Sequence, residues 1–139
     1  MSLVDATPGG EDDADARELE PVLTRLRDLG LVDVDALLAG VGGDDYRTLL
    51  VAFRDDLVDA LRVARERRGE LAKHVSGDPL QLLDATPATR ARDGGREIAA
   101  RAAAQLQRRA AACRAMARLD DLVARVYPRL FEADRRIGG

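Results

Sequence analysis

The sequence predicts an all-α fold. Its centre is a long antiparallel helical hairpin, about 44–75 and 96–127, preceded by short N-terminal helices in a three- or four-helix-bundle-like arrangement. Three observations predict it. Apolar residues recur at steps of three and four over two stretches of about 32 residues each. A Gly- and Pro-rich segment separates those stretches, and matched lengths across one connection favour antiparallel neighbours. Aromatic residues make up only 3% of the chain and Trp is absent, so the core must be built from Leu, Val and Ala, which suits closely packed helices.

Residues 1–13 combine Pro8, Gly9, Gly10 and a run of acids, the composition of a disordered acidic arm. A single helical domain is expected over 14–137. The pattern turns helical at Ala14, and Leu19, Val22, Leu23, Leu26 and Leu29 mark the core side of the first helix. Proline is tolerated best in a first turn, so the main segment is predicted from about Pro21 to Leu29, with Gly30 as a left-handed C-cap. "VDVDALLAG" then reads as a short helix capped by Asp33 and ended by Gly40.

Asp44 or Asp45 can cap the next helix. Its apolar stripe runs Tyr46, Leu50, Phe53, Leu57, Ala60, Leu61, Ala64, Leu71 and Val75. Residues 76–95 contain Gly77, Pro79, Pro87 and Gly94–Gly95, and are expected to form an exposed loop of unusual length. The last long helix carries a heptad seam: Ile98, Ala102, Gln105, Arg109, Ala112, Met116, Leu119, Val123, Val126, Leu130, Ala133 and Ile137. Pro128 is predicted to kink or interrupt it, leaving "PRLFEADRRI" as a terminal helix or a bent continuation. A two-helix hairpin buries little surface. Either the N-terminal helices complete the core, or a second copy does so by dimerisation into a four-helix bundle.

Composition excludes several classes. At 46% hydrophobic residues the chain is too apolar to be wholly disordered. No apolar run reaches the roughly 18 residues that a membrane span needs, and the acidic N-terminus lacks the features of a signal peptide. Cys113 is the single cysteine, so no internal disulfide and no thiolate metal cluster can form, and a cytoplasmic location is expected. Residues 1–45 hold twelve acids and three arginines, and residues 46–139 thirteen acids and nineteen bases. The net charge of −3 thus hides an acidic arm and a basic body; the arm is expected either to touch the body or to shield it from nonspecific polyanions.

The candidate chemistry is sparse. His74 is the only histidine, which rules out a two-histidine metal site; no cofactor motif is present and no cofactor is expected. Cys113, one place beyond the seam among alanines, is expected to be a small buried thiol. Arg96, Arg101, Arg108, Arg109, Arg114 and Arg118 stand against one Glu97, but at 100° per residue they scatter round a helix with no aromatic platform for bases. Nucleic-acid binding through this 96–118 helix is therefore an alternative rather than the first expectation. The seam is weakest at Gln105 and Arg109. Asp55, Asp56 or Asp59 of the antiparallel helix are the expected internal partners, and Gln105, Arg109, Arg101, Arg108, Ala112 and Met116 form the candidate partner-binding set.

Two family resemblances attach to particular residues. Arg68 and His74 resemble the Arg-x(4–6)-His pair of HEPN-type ribonucleases, which would make them a nuclease pair working across a dimer; a solvated helix-end histidine is the favoured alternative. A long helix, "RERRGELAKHVSGDPLQLLD" and a second long helix, over about 44–126, resemble flagellar export chaperones of the FlgN type. That likeness implies a helical cytoplasmic protein that holds secretion substrates, and it transfers no site residue. The expected function is a non-enzymatic protein-protein interaction module (an adaptor, chaperone or small subunit) with a protein partner, a homo-oligomer, or both.

Overall fold

A computed structural model describes residues 10–75 and 94–138, with side chains from Glu18 to Val75 and from Gly95 to Gly138. Among the described residues there are four helices and no strand: α1 (Gly10–Gly30), α2 (Val34–Leu38), α3 (Asp44–Ala72) and α4 (Gly94–Gly138). Packing divides the chain into two compact units, one of Met1–Arg68 with Arg118–Gly139 and one of Gly69–Ala117.

The first unit is held by the predicted apolar stripes. Leu19, Leu23 and Leu26 of α1, Leu50, Phe53, Leu57, Ala60 and Ala64 of α3, and Leu119, Val126 and Ala133 of α4 are buried. Each set follows steps of three, four or seven, which keeps one face of a helix on the core. No polar or charged residue is buried among the described residues, so burial of aliphatic surface drives the packing, at about 25 cal/mol per Å2. Polar contacts frame it. Arg25 of α1 donates to Asp59 (2.9 Å) and Asp56 (3.1 Å) of α3. Arg67 meets Glu18 at 3.0 Å, and Arg118 of α4 lies 3.7 Å from Glu20. The acids that touch basic helices therefore include Glu18 and Glu20 of α1; the side chains of the expected 1–13 arm lie outside the described residues.

Contacts between α3 and α4 in this unit run antiparallel. Arg54 meets Asp134 at 2.6 Å and Arg68 meets Asp120 at 2.8 Å, so α4 numbers fall as α3 numbers rise. The predicted hairpin set 96–127 beside 44–75. In the first unit the α4 residues that meet α3 belong to 118–138, which shares 118–127 with the predicted stretch. Pro128 does not end the helix but lies inside α4, exposed. A proline in a helix interior costs about 3 kcal/mol. Val126 and Ala133, fully buried on either side of it, hold the two flanking turns on the same core.

Other boundaries also moved. α1 begins at Gly10, so residues 10–13 of the expected disordered arm are helical, and Pro21 sits inside α1 rather than opening a helix. Residues 1–9 lie outside the described residues, as does the predicted loop except for its last two residues, Gly94 and Gly95, which open α4. Gly30 is not left-handed. The glycines with positive φ are Gly40 (76°) and Gly43 (64°), which bracket the turn into α3. Gly30 serves close approach instead: a Cβ there would stand 3.3 Å from the Cβ of Arg125 on α4. Asp33 caps α2 as expected, its Oδ1 accepting from the N–H of Asp35 (3.0 Å) and Ala36 (3.3 Å). Asp44 and Asp45 lie in the first turn of α3, where negative charge complements the helix dipole.

Candidate interaction surface

In the second unit the seam is thin. Ala102 and Ala112 are buried, Ile98, Arg109 and Met116 are half-buried, and Gln105 is exposed. Alanine lets another backbone come close but buries little area, so this stretch has small internal anchoring. Arg101, Gln105, Arg108, Arg109, Ala112 and Met116 fall within about 100° of arc on α4, one face of an ideal helix. Beside them Leu106 is 43% exposed. Arg101 lies 3.9 Å from Glu97 one turn away, and no side-chain hydrogen bond or ion pair reaches Gln105 or Arg109 among the described residues.

Two of the three expected partners of those residues, Asp56 and Asp59, are engaged elsewhere. Arg25 holds Asp56 and Asp59, and Asp59 also accepts from Arg62 at 2.6 Å. These two arginines, Arg62 foremost, hold the Asp59 carboxyl below its ordinary range. The sequence pattern could not anticipate this, because Arg25 lies 34 residues before Asp59 and only packing brings them together.

Arg68 and His74 are placed differently from one another. Arg68 belongs to the first unit and grips Asp120 with two parallel bonds, Nε to Oδ1 at 2.8 Å and Nη2 to Oδ2 at 3.2 Å. That fork is the strong form of the arginine–carboxylate pair and holds the Asp120 carboxyl below its ordinary range. His74 belongs to the second unit, exposed in the turn after α3, with its backbone N–H donating to the carbonyl of Leu71 at 3.0 Å. Cys113 is exposed, contrary to the expected buried thiol. One residue past buried Ala112, it is turned by about 100° off the seam. Among the described residues no group of three or more His, Cys, Asp or Glu side chains could hold a metal ion.

The first unit has two surface features of its own. A cleft of about 460 Å3 lies between the α1–α2 connection and α4, lined by Leu31, Asp33, Asp35, Arg129, Glu132 and Arg136 among others. Arg136 bridges Asp35 and Glu132 there, and the Glu132 carboxyl is held below its ordinary range chiefly by Arg136. The second feature is aromatic. Tyr127 and Phe131 of α4 stack with ring centroids 5.9 Å apart, and both rings are exposed, as is Val58 of α3. They are missing from the sequence-predicted set, yet a spacing signal exists. Asp120, Ala124, Tyr127, Phe131 and Asp134 make a second stripe of threes and fours beside the core seam.

No protein-family model, no curated protein and no solved structure matches this chain. Among the described residues, no helix is long and apolar enough to cross a membrane.

Proposed function

We propose that this chain is a non-enzymatic helical interaction module, an adaptor, chaperone or small subunit acting in the cytoplasm through a protein partner or a further copy of itself. The observation that carries it is the placement of large apolar side chains outside the core. Phe131, Tyr127, Val58 and Leu106 stand on exposed helix faces, in a chain with only four aromatic residues. Exposed aromatics are enriched in the centres of protein interfaces, and a clustered pair means more than scattered single residues. The thin Ala seam of 98–116, flanked by Leu106, supports the same reading: such a helix gains most from a partner that covers it.

In this reading the hairpin of α3 and α4 is the frame, α1 contributes a third layer beside α3 and the last part of α4, and assembly supplies what is missing. The export-chaperone resemblance falls within this class. Nucleic-acid binding has less support, because Arg101 and Arg118 already lie beside carboxylates. The test is site-specific photocrosslinking in the source cell, with a benzophenone side chain at position 106, at 131, and at exposed Arg65 as control. Discrete adducts at 106 or 131 but not at 65 are expected. Equal or absent labelling at all three positions would overturn the proposal.

A further inference from the structure

We infer that the Tyr127–Phe131 stripe of α4 is a self-docking surface, on which a second copy of this chain lays the same stripe antiparallel about a twofold axis near position 129. The inference rests on the interaction-module reading and names its occupant.

The stripe is Asp120, Ala124, Tyr127, Phe131 and Asp134, exposed at every position, with Asp121, Pro128 and Arg135 on its border. A twofold contact must be self-complementary, each residue meeting its counterpart in reversed order. Centring the axis at 129 sets Tyr127 against Phe131 of the second copy, and Phe131 against its Tyr127, so the aromatic contact is made twice. The flanks then carry opposite charge. Arg135, which meets Glu132 on its own helix, stands opposite position 123 of the second copy, with that copy's Asp121, which meets Arg125 at 3.1 Å, two residues further on; docking exchanges these local pairs for one across the axis. That is about 3 Å along the axis, within a guanidinium's reach. Ala124 opposite Asp134 leaves room for close approach. Val58 of α3 is also exposed, one turn after Arg54, whose guanidinium meets Asp134 of α4.

The area sets the strength. Tyr127 is 44% exposed and Phe131 64%. With roughly 200 Å2 for each residue, the two rings offer about 200 Å2 per copy. A stable interface needs roughly 800 Å2 per partner, so even with Val58 and the flanking residues the contact is small, and the dimer is weak and reversible.

Sedimentation equilibrium of the full chain under reducing conditions, from about 1 μM to 1 mM, tests this. A monomer–dimer equilibrium with a Kd between about 10 μM and 1 mM is expected. Phe131→Glu and Tyr127→Ala each weaken it at least about tenfold, while Leu106→Glu leaves it unchanged. Arg135→Asp alone weakens it, and adding Asp121→Arg restores it. Circular dichroism shows whether each variant keeps its helices; the substituted side chains are exposed, and Tyr127→Ser replaces any variant that unfolds. A chain that stays monomeric to 1 mM overturns the inference, as does a dimer indifferent to Phe131→Glu. If it stays monomeric while a benzophenone at 131 captures a different protein, self-docking is wrong and the interaction-module reading stands.

Discussion

Placing a carboxylate at Ala133 asks whether the chain beyond Pro128 belongs to the core. Ala133 has no exposed surface. In Ala133→Asp the new side chain enters an aliphatic environment in which no polar or charged residue is buried, among those described, to receive it. Leaving a buried charge without a partner costs about 3–5 kcal/mol, to which loss of helix propensity adds about 0.7 kcal/mol. Ala124→Asp is the control: the same change, on the same helix and in the same unit, at an exposed position. It should cost at most about 1 kcal/mol, propensity plus repulsion from Asp120 and Asp121. Urea unfolding followed by circular dichroism, at micromolar protein and pH 7, measures both.

The difference should also depend on pH. Burial without a partner disfavours the charged form, so the folded-state carboxyl titrates above the ordinary Asp range. The penalty is therefore full above that raised value and is relieved as pH falls through it toward about 4. Equal costs for the two substitutions, or a cost for Ala133→Asp that is flat with pH, would refute the packing of 129–138 described above.

Three further outcomes follow from the same structure. Pro128→Ala should stabilise the chain by up to about 3 kcal/mol, read as a rise in thermal midpoint, because the helix already passes through this position; a loss of stability would mean that the proline is needed there. The carboxyls of Asp59, Asp120 and Glu132 are held below their ordinary values of 3.8, 3.8 and 4.5 by arginine partners. Their stabilisation is thus present above about pH 4 and lost as pH falls through the lower folded values. NMR titration should give midpoints under those values, and ordinary midpoints would show the pairs to be absent in solution. Cys113, being exposed, should react fully with a thiol reagent in the native state, whereas slow labelling that awaits denaturant would place it in the core.

Much of the fold was legible along the chain. The stripe from Leu50 to Ala64, the seam residues Leu119, Val126 and Ala133, and the Asp33 cap all depend on spacing over a few residues, and local periodicity carries that information. The exposed Tyr127–Phe131 pair was legible in principle, since its stripe has the same spacing as the core seam. A periodic pattern shows that a face exists but not whether the face is covered. The candidate set at 101–116 is one face of α4, as spacing implies, while Asp56 and Asp59, two of the three acids expected to meet it, pair with Arg25 of α1.

By itself, then, the sequence determined that the chain is helical, which residues line each helix, and where α2 and α3 begin, because backbone hydrogen bonding and side-chain period act over three or four residues. Tertiary structure decided the rest. It set Arg54 and Arg68 of α3 against Asp134 and Asp120 of α4, engaged Asp56 and Asp59 with Arg25, and carried α4 through Pro128. The physical reason is one of scale. A proline penalty of about 3 kcal/mol is a local quantity, but whether it ends a helix depends on the burial gained on both sides of it, and that burial exists only once distant helices have come together.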